Sequence, residues 1–153
     1  MSNEAIIYNT ALEDGMPKPL ALIIVAQAKH ESGNFTSAIF TDCNNSFGYK
    51  VFGNASACPS HPDYELYPSL ADSVHEITGW IKRRLNAGNF PALDTITDPG
   101  QYAALLQKNG YFTDSLTNYS NGLYAWYQPY INPGISGTVI LAGIALLLII
   151  RKK

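Results

Sequence analysis

The sequence predicts a mainly α domain of the α+β class, followed by one C-terminal transmembrane helix. Three observations point that way. Apolar residues recur at helical spacing in several segments punctuated by Gly, Pro and capping residues. Residues 34–68 break that pattern with Asn, Ser, Pro, Gly and aromatics, which predicts loops and at most a small hairpin. Residues 135–150 read ISGTVILAGIALLLII, sixteen positions without a charge.

Taken in order, Asn3 to Glu13 is a short helix with Ile6, Ile7 and Ala11 apolar, an acidic end, and Gly15 to close it. Pro19 opens the second helix, where a fixed φ and a missing N–H are harmless. Leu20, Ile23, Ile24 and Gln27 follow at helical spacing, and near-continuous apolar content marks this helix as central. Gly33 is a suitable C-terminal stop, which puts Glu31 in the last turn. Ser69 starts a third helix with Asp72 in its first turn and Val74, Ile77, Trp80, Ile81 and Leu85 as its apolar stripe. Asp98-Pro99 caps another, carrying Tyr102, Leu105 and Leu106 and ending at Gly110; Ser115 to Tyr127 forms the last.

The C-terminal run would rise about 24 Å as a helix, short of a roughly 30 Å hydrocarbon core. Arg151, Lys152 and Lys153 at one end, and Tyr127, Tyr130 and Ile131 at the other, are expected to make up the difference. A buried core helix is the alternative, but one without a polar face over four turns is unusual. The expected organisation is a domain at 1–131, a hinge at 132–134, a membrane helix at Ile135–Ile150 and a basic tail at 151–153. Basic residues after the span place the C-terminus on the inner side and the domain outside. Leu20 to Ala28 is no secretion signal: acids precede it, Pro17-Lys18-Pro19 leads into it, and Gln27 interrupts it.

At 153 residues and 16.7 kDa the chain has room for one domain, and its charged fraction is only 14%. Residues 1–134 hold seven basic and twelve acidic side chains, a net charge of −5, with no basic stripe. That excludes nucleic acid as a partner and electrostatic attachment to anionic lipid. Cys43 and Cys58 are too few for a disulfide scaffold. His30 and His61 add no ligand spacing that would make a zinc site with them, so no metal or cofactor is expected.

Glu31 is the side chain that points to chemistry. A carboxylate at the C-terminal end of an apolar helix meets the negative end of the helix dipole and poor solvation. Both raise its pKa, as a general acid near neutral pH requires. Around it stand Ala26-Gln27-Ala28-Lys29-His30-Glu31-Ser32-Gly33, Ser37, and Asn44-Asn45-Ser46-Phe47-Gly48-Tyr49-Lys50. Tyr67-Pro68-Ser69-Leu70-Ala71-Asp72-Ser73 and Asn109-Gly110-Tyr111-Phe112-Thr113-Asp114 through Tyr119 follow. These four blocks, in this order, resemble the motifs of the flagellar-type glucosaminidases, glycoside hydrolase family 73.

The resemblance implies a lysozyme-like fold and a peptidoglycan glycan strand as substrate. It makes Glu31 the catalytic acid, and Ser32, Asn44, Asn45, Phe47 and Gly48 the loop residues beneath the glycan. Tyr119 matches the cleft tyrosine that holds the sugar near the acid. Asn amides can bond an acetamido group and a ring can stack on a pyranose; read without the family, the Asn pair is equally a turn and Phe47 a core contact. Tyr102, Tyr111, Tyr124 and Trp126 read as packing or interface residues.

The family's hairpin carboxylate has no counterpart by motif, because only Val51 to Asp63 fills the interval and the β-hairpin lobe is reduced. Asp63 is preferred over Glu65 and Asp42 as second acid. Three routes stay open: the substrate's acetamido group as nucleophile, water activated by a second acid, or attack by the muramic 6-hydroxyl in a lytic transglycosylase needing only Glu31. An inactive glycan-binding or structural membrane protein is a further alternative. Cys43 and Cys58 flank the loop and are expected to bridge if the domain faces an oxidising compartment. A minimal enzyme on an anchor suits the membrane of a bacteriophage virion, among virion or membrane protein neighbours; a bacterial envelope is the rival setting.

Overall fold

The computed structural model describes residues 1–53 and 55–132. They form helices α1 (Asn3–Glu13), α2 (Lys18–Glu31), α3 (Ala38–Cys43), α4 (Leu70–Asn86), α5 (Pro99–Lys108) and α6 (Leu116–Ile131). Strands β1 (Ala57–Cys58) and β2 (His61–Glu65) lie between α3 and α4. This mainly helical chain with its small two-stranded sheet is consistent with a lysozyme-like fold. The expected hinge at 132–134 begins at the last described residue, and the expected membrane helix Ile135–Ile150 and tail 151–153 lie outside the described residues. No helix among the described residues is long and apolar enough to cross a membrane.

α2 is the axis of the fold. Leu20, Ala21, Ile23, Ile24, Val25, Ala26 and Ala28 are all fully enclosed, as a helix apolar around its whole circumference must be. α1 supplies Ile7 and Ala11 to one flank, and α6 supplies Leu123, Tyr127 and Tyr130 to the other. α5 packs on α6 through Tyr102 and Leu106, and α4 closes on α1 through Val74, Ile77 and Ile81. Helix starts follow side-chain capping: Ser2, Ser37, Ser69, Asp98 and Ser115 each accept a backbone N–H from the first turn.

Two expectations need correcting. The segment 34–68 contains α3, whose six residues are too few to display an apolar period but are bounded by the Ser37 cap and by Asn44 at φ 52°. Tyr127 and Tyr130 were expected at a membrane interface. They are instead 7% and 5% exposed inside the domain core, because α6 runs on to Ile131 and turns both rings inward.

The polar insert is an arm held by β pairing and a covalent bond. β1 and β2 run antiparallel with Ala57 opposite Glu65 and Cys58 opposite His61. Residues 49–51 extend the ladder: Glu65 N–H donates to the Tyr49 carbonyl and Val51 N–H to that of Asp63, each at 3.0 Å. Cys43, at the end of α3, is disulfide-bonded to Cys58 in β1.

Candidate active site

Glu31 is the last residue of α2, and the chain beyond it turns away so sharply that the carboxylate is left facing a cleft. Gly33, Asn34 and Phe35 all lie in the left-handed region, at φ 57°, 59° and 65°. For Phe35 that conformation costs about 1–2 kcal/mol. The turn is held by Asn34 N–H on the Lys29 carbonyl at 2.7 Å. Ser32 reinforces it, donating to the Ala28 carbonyl at 2.6 Å and accepting from Phe35 N–H at 2.9 Å. Ser32 is 1% exposed, so its hydroxyl shapes the turn that aims Glu31 and is not offered to a ligand.

Tyr119, in the first turn of α6, donates its hydroxyl to Glu31 Oε1 at 2.5 Å. Gln27, fully buried one helical turn before Glu31, donates to the Tyr119 oxygen at 3.5 Å and accepts the Tyr102 hydroxyl at 2.8 Å. A polar line thus runs from α5 through α2 to the acid, and Phe112 stacks on the Tyr119 ring at 3.9 Å, 11° from parallel. Burial raises the Glu31 carboxyl above its ordinary value, and the Tyr119 hydrogen bond pulls it partly back. The result is a half-buried acid that keeps its proton to higher pH than a surface carboxyl.

The opposite wall is the loop after α3. Gly48 stands at φ 68°, where a Cβ would come within 3.9 Å of Glu31 Oε2; backbone therefore approaches the acid at a point glycine suits. Phe47 is 3% exposed, and its carbonyl accepts the Tyr111 hydroxyl at 2.9 Å. Asn45 holds the loop's shape: its amide donates to the Tyr49 and Glu65 carbonyls and accepts Tyr49 N–H. Asn44 donates to the Tyr67 carbonyl at 3.0 Å. Both amides, expected to bond the sugar, are spent on backbone and lie outside the cleft lining.

The cleft encloses about 600 Å³, and Glu31, Phe47, Gly48 and Tyr119 all line it. Asp63 does not: it is exposed on β2, and the arm carries it away from the lining. The second carboxylate in the lining is Asp114, on the loop between α5 and α6. His30, Tyr49, Lys50, Trp80, Tyr111 and Phe112 also line the cleft. Sequence reading placed none of them there and took Tyr111 for packing. The signal available was the Asn109–Asp114 block, whose likeness to a family motif extends to residues with no assigned role.

Among the described residues no three His, Cys, Asp or Glu side chains are grouped to hold a metal, and both cysteines are bonded to each other. What the site offers is a half-buried carboxyl of raised pKa, aromatic walls, and polar side chains that include His30, Lys50 and Asp114. A sugar polymer, with apolar pyranose faces and hydroxyl edges, matches such a lining.

Comparison with known proteins adds one result. The family model described as mannosyl-glycoprotein endo-beta-N-acetylglucosaminidase matches residues 11–132. No curated protein and no solved structure matched. The matched span runs from α1 to the end of α6 and takes in every side chain of the cleft. The chain therefore belongs to the glucosaminidase family, and it is a glycosidase acting on peptidoglycan.

Proposed function

We propose that the protein cuts the glycan strand after N-acetylglucosamine, with Glu31 as the general acid that protonates the leaving sugar oxygen. The observation that carries this reading is the carboxyl itself: half-buried at the end of α2, opening on the cleft, and hydrogen-bonded by Tyr119 at 2.5 Å. Burial raises the pKa of the acid, so it holds a proton for the leaving oxygen to higher pH than a surface carboxyl would. The family description supports the choice of bond. Phe112 and Trp80 supply ring faces and edges along the wall where successive sugars would lie.

Zymograms on purified peptidoglycan test the assignment. Detergent-solubilised full-length protein is expected to clear, and Glu31→Gln to leave the gel opaque; equal clearing by both sinks the role of Glu31. A lytic transglycosylase is the second reading, favoured by the position of Asp63 outside the cleft. Mass spectrometry separates the two, since hydrolysis incorporates water at the new reducing end and transglycosylation leaves an anhydro end. We further propose that residues 135–150 anchor the domain in a virion or cell-envelope membrane, on the strength of their sixteen uncharged positions. Partition into the detergent phase that is lost on truncation at 132 supports the anchor.

A further inference from the structure

Hydrolysis by single displacement needs a group that takes a proton from the attacking water as well as one that gives a proton to the leaving oxygen. With Glu31 assigned to the second task, the first has to fall to another group in the cleft. Lys50 is a cation whose Nζ lies 3.5 Å from the centre of the Tyr64 ring, and Asp114 is a carboxylate whose Oδ1 accepts Ser115 N–H at 2.6 Å. His30 differs from both. It precedes Glu31 on α2, lines the same cleft, and among the described residues makes no hydrogen bond through either ring nitrogen.

Helix α6 is shaped around this ring. A Cβ on Gly122 would stand 2.3 Å from His30 Cε1, 2.5 Å from Nδ1 and 3.0 Å from Nε2, so any other residue there would collide with the imidazole. The imidazole also meets the Tyr119 ring edge-on, with centroids 5.1 Å apart and planes 89° apart. The tyrosine that holds Glu31 is therefore the one that packs against His30. A seat with no side chain opposite it, beside the acid and with no internal hydrogen bond, fits a group kept for a ligand.

We propose that His30 is the proton acceptor of the reaction, taking a proton from the attacking water at an imidazole nitrogen. The step balances as follows. The water oxygen bonds to the anomeric carbon while the glycosidic C–O bond breaks, its electron pair passing to the leaving oxygen. Glu31 protonates that oxygen, and the water's proton moves to His30. Imidazolium then releases its proton to solvent, and Glu31 is reprotonated. The inference rests on Glu31 being the acid.

The charges around His30 suit this role. Asp114 acts on it from the α5–α6 loop, Tyr119 meets it from α6, and Lys50 of the loop after α3 shares its cleft; on its own helix stand Glu31 and Lys29, the latter paired with Glu4 of α1 at 3.2 Å. Burial lowers the pKa of the imidazole from its ordinary value and so favours the free base, while Asp114 opposes that shift and favours the imidazolium once it forms.

The test is the pH profile of kcat/KM for the full-length protein on soluble glycan fragments. Because the base must be unprotonated, wild type is expected to lose activity on the acid side as His30 gains a proton. Asp114→Asn removes the charge that favours the imidazolium, so its acid limb should move to lower pH. His30→Gln should lose that limb and about 10²–10⁴-fold in kcat with KM little changed, and His30→Gly should regain turnover with added imidazole. A His30→Gln enzyme within a fewfold of wild type, its acid limb intact, overturns the inference while Glu31→Gln stays dead. Turnover by Glu31→Gln is a different failure and removes the assigned acid first. Anhydro product ends also overturn it, since no water would then be deprotonated.

Discussion

Tyr119 donates a 2.5 Å hydrogen bond to Glu31 from a helix 88 residues further along the chain. The same hydroxyl accepts from Gln27, one turn before the acid, so α2 and α6 are joined at the point where chemistry is expected. That contact makes the acid's pKa a property of how two helices pack.

Replacing Glu31 by Gln should abolish turnover and raise stability. Burial lifts the folded-state pKa above the ordinary 4.5, so the charged form is the one folding disfavours. The group's contribution is full below the unfolded value and is lost as pH rises through the raised folded value. Glu31→Gln should therefore melt a few degrees above wild type at pH 7 and match it near pH 4. Thermal melts at the two pH values check this.

Tyr119→Phe should act on both limbs of the network. Losing the hydrogen bond that lowers the Glu31 pKa lets the acid stay protonated longer, so the basic limb of kcat/KM moves to higher pH. Gln27 loses an acceptor in a fully buried setting, which costs about 1–2 kcal/mol. Urea denaturation and a pH profile read the two effects separately.

Gly48→Ala and Gly88→Ala impose the same left-handed strain, at φ 68° and 74°, or about 1–2 kcal/mol each. The new methyl meets Glu31 Oε2 at 3.9 Å in the first and nothing within 4 Å in the second. Activity per folded molecule should fall for Gly48→Ala and hold for Gly88→Ala.

The disulfide closes a loop over a sequence separation of 15, worth about 3 kcal/mol in the chain-entropy model. Phe47, Gly48, Tyr49 and Lys50 of the cleft lie within that loop. Cys43→Ser with Cys58→Ser should lower the unfolding free energy in urea by that amount, and added reductant should do the same to wild type but nothing further to the double variant.

Asn45→Ala should cost about 2–3 kcal/mol and weaken activity with it, because three hydrogen bonds from one buried amide set the path of residues 45–49. Calorimetry together with a zymogram would show both losses at once. Normal stability combined with lost binding would instead place the amide on the sugar.

Local patterning determined most of the architecture. The apolar run of Leu20–Ala28 could only be a buried helix, and the Ser and Asp caps marked where α4, α5 and α6 begin. Glu31 was legible because the Gly33 stop fixed its place at a helix end and the surrounding motif singled it out. Helix α3 was not, since six residues span less than two turns and its boundaries depend on Ser37 and Asn44 finding partners. The cleft's wider lining was hidden for a different reason. His30, Trp80 and Asp114 sit on α2, α4 and the α5–α6 loop, and nothing in local sequence says that these face one another. The roles of Asn44 and Asn45 also turned on tertiary contacts: chemistry allows an amide to bond a sugar or a backbone, and the folded arm brings backbone carbonyls within reach first. Periodicity, caps and turn residues act over a few positions, so the sequence could declare its helices and the place of Glu31 at the end of one. Burial, electrostatic field and the choice of hydrogen-bond partner arise only when distant segments meet, and these decide what surrounds that acid.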